Sequence, residues 1–203
     1  MKKLSTLMTM ALVAMMALTL TSCDEDYDIA YTLEGTWRGN MYVSSVYDGY
    51  TYDATYTELC FVQDPYRYSS GTGYWIDHYA GDAPWRYVAN HTEWKVRGGV
   101  IRIHLMEEDT YVEIANYRLD DNYFDGTIYY GDTKVKFRMN HTSSPNWNDY
   151  YYGYDYWTGY NAKPAPGVRA ASGDAKPMRV FRTQEGVANA EPVRNVTNRI
   201  NNN

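Results

Sequence analysis

Between residues 34 and 142 the chain reads as eight short segments of alternating character, each ended by turn chemistry, with no helical periodicity. The segments lie near 36–46, 52–62, 72–80, 86–96, 100–106, 110–118, 122–130 and 133–140. The turns carry Asp48-Gly49, Ser70-Gly71, Gly81-Asp82 with Pro84, Gly98-Gly99, Glu108-Asp109, Asp120-Asp121-Asn122 and Gly131-Asp132. Val135, Phe137 and Met139 share one face, opposite Lys134, Lys136 and Arg138. Ile101, Ile103 and Leu105 likewise oppose Arg102 and His104, and Trp37, Met41 and Val43 oppose Arg38 and Asn40. One face is dry and the other wet, as in an antiparallel sheet. The second segment is ambiguous, because Leu59 and Phe61 argue for one face and Tyr56 and Val62 for the other. Eight such strands without a crossover helix predict an all-β meander. Closing it into an up-and-down barrel removes the exposed edges. Such a barrel is either filled by side chains or holds one small ligand. An open sandwich is the rival architecture.

The flanks divide the chain further. Met1-Lys2-Lys3 and the uncharged run Leu4–Leu20 have the order of a secretory signal, and the run is too short and too rich in Ser and Thr for a spanning helix. It ends in Leu20-Thr21-Ser22-Cys23, which resembles the lipobox of bacterial lipoproteins. The resemblance implies cleavage after residue 22 and a diacylglycerol anchor, of the palmitate type, on the Cys23 thiol. Residues 24–28, Asp-Glu-Asp-Tyr-Asp, are similar to the surface-export signal of lipoproteins of the Bacteroides group. That implies an outer-membrane protein displayed at the cell surface, with residues 23–33 as an acidic linker. The barrel spans 34–142, followed by a Tyr/Trp-rich segment, 143–160, and a largely disordered basic tail, 161–203.

The first strand opens Leu33-Glu34-Gly35-Thr36-Trp37-Arg38-Gly39, which resembles the Gly-x-Trp start of lipocalins and of lipocalin-like domains in Bacteroides-group lipoproteins. The resemblance implies that Trp37 closes the barrel floor. It also implies that an Arg late in the barrel, here Arg138, stacks on it.

Residues 23–160 hold 22 acidic and 10 basic side chains, a poor match to nucleic acid, whose phosphates need clustered Lys and Arg. With Cys23 lipidated, Cys60 is the single remaining cysteine, so no intrachain disulfide forms. Cys60 reads as a small buried hydrophobe. Asp77-His78 is a candidate acid/base pair, outweighed by a plain strand histidine. Asp120-Asp121-Asn122 with Asp125-Gly126 reads as a turn rather than a calcium loop, and Glu107-Glu108-Asp109 as another acidic turn. No motif calls for a metal, a cofactor or catalysis, and the chain reads as a non-enzyme.

The strongest functional clue is aromatic. There are 23 Tyr and 6 Trp against 4 Phe, and 145–160 alone holds six Tyr and two Trp. Flat rings with polar edges suit glycans and wet interfaces. Candidate ligand contacts are Tyr74, Trp75, Tyr79, Trp85 and Tyr87 in the loop-rich middle, and Trp147, Tyr152 and Trp157 in the Tyr-rich segment. The competing reading is that this segment packs on the barrel wall and covers it. The chain is therefore expected to be a lipid-anchored binding module for a glycan or small apolar ligand. Its alternative is a solid barrel that docks another envelope protein, and the third reading is an enzyme with no recognisable motif.

Overall fold

In the computed structural model, residues 25–81, 83–152 and 177–183 are described. The expected signal segment and Cys23 lie outside them. Helix α1 (residues 25–33) precedes ten strands: β1 (Gly35–Asn40), β2 (Val43–Tyr47), β3 (Tyr50–Gln63), β4 (Ser70–Tyr79), β5 (Tyr87–Arg97), β6 (Val100–Leu105), β7 (Thr110–Leu119), β8 (Tyr123–Tyr130), β9 (Thr133–Thr142) and β10 (Met178–Phe181). From β3 to β9 each strand pairs antiparallel with the next. β1 then closes the ring by pairing with both β9 and β3. The barrel is thus an eight-stranded antiparallel up-and-down barrel, as the alternation predicted.

The expected strand 36–46 is broken. Tyr42 adopts a positive φ of 55°, and its N–H donates to Asn40 Oδ1 at 2.7 Å. β1 therefore stays in the ring on the C-terminal half of β3, whereas β2 leaves β9 and pairs with the N-terminal half of β3. The face ambiguity of β3 also has a cause. A bulge between Ala54 and Tyr56 shifts the parity, so that Tyr52 and Ala54 point inward before it and Thr57, Leu59 and Phe61 after it.

The acidic linker expected at 23–33 is corrected: residues 25–33 are helical and cover one end of the barrel. Ile29, Ala30 and Leu33 are spaced for one helix face and are fully buried. The Asp26 carboxylate accepts from the N–H groups of Gly98 and Gly99, both at 2.8 Å, which ties the helix to the β5–β6 turn. A short stripe of three apolar residues in an acidic run gave too little signal.

The expected tail also contains an ordered piece, because Met178–Phe181 forms β10 along the free edge of β2. Its alternation carries only two inward residues, too short for a pattern to stand out.

The interior is filled. Trp37, Phe61, Trp94, Phe124 and Phe137 are each at most 4% exposed and belong to one apolar cluster. Their rings meet edge to face: Trp37 with Phe124 at 5.7 Å, Phe61 with Trp94 at 5.5 Å, and Phe124 with Phe137 at 4.9 Å.

Candidate functional site

Trp37 lies against the end of α1. It is fully buried, and its indole N–H donates to the Leu33 carbonyl at 2.8 Å. Arg138 does not stack on it. Val135, Phe137 and Met139 point inward, so Arg138 is thrown to the outer face, where its guanidinium lies 5.9 Å from the Tyr123 ring. The ring beside Trp37 is that of His141, at 4.9 Å.

The five central aromatics divide across the barrel wall, because alternate strand residues face opposite sides. Trp75 and Tyr79 point inward from β4. The Tyr79 hydroxyl exchanges a hydrogen bond with Ser45 Oγ at 2.7 Å, and burial pushes its ionisation well up. Trp85, in the β4–β5 loop, is 3% exposed and packs on Tyr47, Tyr52 and Tyr79. Tyr74 and Tyr87 point outward.

Outside, residues 143–152 form a strap across β1, β3, β4 and β5, bent by a short 3-10 turn at Trp147–Asp149. Ser144 shares a 2.6 Å hydrogen bond with Thr36 on β1. Trp147 stacks on Tyr74 at 4.8 Å and 17°. The Tyr150 hydroxyl donates to Glu58 Oε2 at 3.3 Å, and the Tyr151 N–H donates to the Tyr87 hydroxyl at 3.1 Å. Tyr152 lies 3.9 Å from the His91 ring. Two of the second aromatic set, Trp147 and Tyr152, thus cover Tyr74 of the first; Trp157 lies outside the described residues. Desolvation, with Glu58's charge next, pushes the Tyr150 hydroxyl up to about 12.

Asp77 and His78 do not form a pair. His78 faces outward and shares a 2.9 Å hydrogen bond with Glu58; that bond chiefly holds the Glu58 carboxyl below its ordinary value. Cys60 is 5% exposed on the outer side of β3, opposite Thr36 and Tyr74, and burial raises its thiol ionisation. Native protein is therefore expected to resist thiol-reactive dyes at Cys60 and to label fully once unfolded; fast native labelling would show that the strap opens.

The most unusual arrangement is one the sequence reading missed. Inside the barrel, Asp77 and Glu108 converge on Arg179 of β10. Arg179 donates Nε to Glu108 Oε2 at 2.9 Å and Nη2 to Glu108 Oε1 at 2.7 Å, while Nη1 reaches Asp77 Oδ2. The guanidinium carbon sits 5.3 Å from the Trp75 ring centroid. Each acid is held in turn. Thr57 donates to Asp77 Oδ1 at 2.6 Å, Trp75 Nε1 donates to both Asp77 oxygens, and Asn90 donates to Glu108 Oε1 at 2.8 Å. Burial alone would raise Glu108, but the charge and hydrogen bonds of Arg179, with Asn90, outweigh it and leave Glu108 below its ordinary value. Asn90 Oδ1 is buried with no hydrogen-bond partner among the described residues.

The remaining candidates are accounted for locally. Asp120 Oδ1 accepts from the N–H groups of Asn122 and Tyr123, and Asp125 pairs with Arg118 at 2.8 Å. Among the described residues no group of three His, Cys, Asp or Glu is placed to hold a metal ion.

No known relative emerges. The chain matches no family model, and no curated protein and no solved structure is significantly similar to it.

Two surface hollows complete the picture. A cleft of about 660 Å³ lies beside the β4–β5 loop, lined by Tyr79, Trp85, Arg86, Tyr87, Asp149 and Tyr151 among others. A groove of about 710 Å³ on the outer wall brings Asp64, Arg67, Glu93, Lys95, His104 and Tyr111 together. There the Tyr111 ring is stacked with His104 at 4.4 Å, and Arg102 lies over it at 4.3 Å.

Proposed function

We propose that this chain is a lipid-anchored, lipocalin-like surface protein whose barrel is a solid scaffold for contacts with other envelope proteins, rather than a carrier. The observation behind this reading is the filled interior. Five large aromatics occupy one part of it, and the Asp77–Arg179–Glu108 cluster occupies another. An apolar ligand would have to displace a packed core or break buried ion pairs. The position of α1, described from residue 25 onward, fits anchoring at Cys23. Tyr27, Tyr31, Tyr66 and Tyr68 are exposed on α1 and the adjoining β3–β4 loop, with Tyr27 5.6 Å from Tyr68. Amphipathic rings of this kind suit a headgroup layer.

Two measurements test the reading. Cell fractionation is expected to place the wild-type chain with the membrane, carrying acyl label, and the Cys23→Ala variant in the soluble fraction without it. Unlabelled wild type would defeat the anchor. Titration with a fluorescent fatty acid is expected to show no saturable binding, and a stoichiometric endpoint would restore the carrier.

The cleft at Tyr79, Trp85 and Tyr87 supports a second reading, a glycan or other polar ligand outside the barrel. It joins three of the aromatics singled out above to the charged groups Arg86 and Asp149. Oligosaccharides should then change the tryptophan emission of wild type, with the change lost in Tyr151→Ala.

A further inference from the structure

The eight-stranded ring is complete without β10, since β1 closes it against both β3 and β9. Among the described residues β10 pairs with β2 alone, which itself stands outside the ring. The buried acids are in the opposite position. Asp77 and Glu108 are lodged on ring strands or their turns, yet among the described residues the cation paired with both belongs to β10. A ring that closes by itself but needs a cation delivered by a peripheral strand is built as a receptor.

That receptor is specific. Glu108 meets Nε and Nη2 with its two oxygens, Asp77 takes Nη1, and Trp75 lies near the guanidinium carbon, a set that fits a planar fork and not a point charge. Two residues on, Phe181 fills the space between Trp75 and Tyr130, with ring centroids at 6.3 and 5.2 Å. Between these anchors the free edge of β2 supplies the backbone ladder, with Arg179 opposite Ser45 and Phe181 opposite Val43. The recognised element is therefore an antiparallel strand of pattern Arg-x-aromatic. This is strand addition with pockets for alternate side chains.

We propose that this acceptor exchanges its strand, and that its partner is the β10 strand of a second copy of this chain. The second copy carries the recognised pattern by construction. The connection from the strap to β10, residues 153–176, is 24 residues long. When extended it reaches about 80 Å, enough to pass from one barrel to the next. Strand exchange between identical chains needs no new contact, only a long enough connection. The inference deepens the interaction reading by naming a partner. It is tested on the full-length chain carrying Cys23→Ala, so its failure leaves the tests of the anchor and of the filled interior untouched.

The register supplies the experiment. Val46 and Met178 face each other across β2 and β10, and Met178 is exposed. In a Cys60→Ala background, one chain carries Val46→Cys and a differently tagged chain carries Met178→Cys. The two are mixed under mild oxidation, and a single chain with both substitutions is the control for the register. Exchange predicts a disulfide-linked heterodimer that increases with protein concentration. A synthetic peptide covering residues 176–183 is expected to suppress the heterodimer, and the same peptide with Lys in place of Arg179 should do so about tenfold less well. The peptides leave the protein's own Arg179 intact, so loss of folding cannot mimic the result. An intrachain disulfide in the control with no heterodimer in the mixture would overturn the exchange. Equal suppression by the Arg and Lys peptides would overturn the receptor.

Discussion

Arg179→Ala is expected to lower stability by about 3–5 kcal/mol, because it strips the partner from two buried carboxylates rather than removing one surface charge. Arg179 and Asp77 are 3% and 0% exposed, and Glu108 is 10% exposed. The acid limb is informative as well. In the wild type Glu108 ionises below its ordinary value. Its contribution is present above the unfolded carboxylate range and is lost as pH falls through the lowered folded value. In Arg179→Ala the Asn90 hydrogen bond is left to oppose the effect of burial on Glu108, so acidification should relieve part of the deficit. Urea denaturation from pH 4 to 8 reads both slopes, and a variant within about 1 kcal/mol of wild type at pH 7 would show that the cluster is open to water. Combining Arg179→Met with Asp77→Asn and Glu108→Gln should recover much of the loss, since no buried charge then lacks a partner.

Trp37→Ala is expected to cost a comparable about 3–5 kcal/mol by a different mechanism, an unfilled cavity at the barrel floor. The indole is fully buried, contacts Phe124 and His141 edge to face, and holds the end of α1 through the Leu33 carbonyl. Its loss should therefore also loosen α1, measurable as faster amide exchange at Leu33 and Ala30 than at β6. Trp37→Phe should recover most of the stability but not the protection of α1, since it refills volume without restoring the N–H.

Several ring strands were legible because they alternate cleanly over six or more residues between Gly- or Asp-bearing turns. Val135-Phe137-Met139 and Ile101-Ile103-Leu105 are inward, as their spacing indicates. Errors arose where that periodicity is interrupted. The left-handed Tyr42 cuts one expected strand in two, and the bulge before Tyr56 mixes the faces of β3. The aromatic candidates were recognised by type but not by side. Trp75 and Tyr74 are neighbours in sequence, yet one lines the interior and the other lies under the strap. The Asp77–Glu108–Arg179 cluster left no trace as a unit, because Asp77 stands beside His78 and Glu108 in an acidic turn, and only the closed ring brings them together with Arg179. Arg138 was assigned through resemblance against its own strand's parity, and the parity prevailed.

The way the ring closes also governs how the chain reaches this state. Thr36 meets Ser144 across 108 positions of sequence, and Asp77 meets Arg179 across 102. Contacts this distant repay the entropy of loop closure only after nearly the whole chain is available, which places the protein among slow, topologically limited folders. A chain delivered amino-terminus first presents Asp77 and Glu108 well before Arg179. Until then the two acids sit in a nearly finished barrel without the guanidinium that meets them in the folded chain. The docking of β10 is thereby an electrostatic step as well as a pairing of strands.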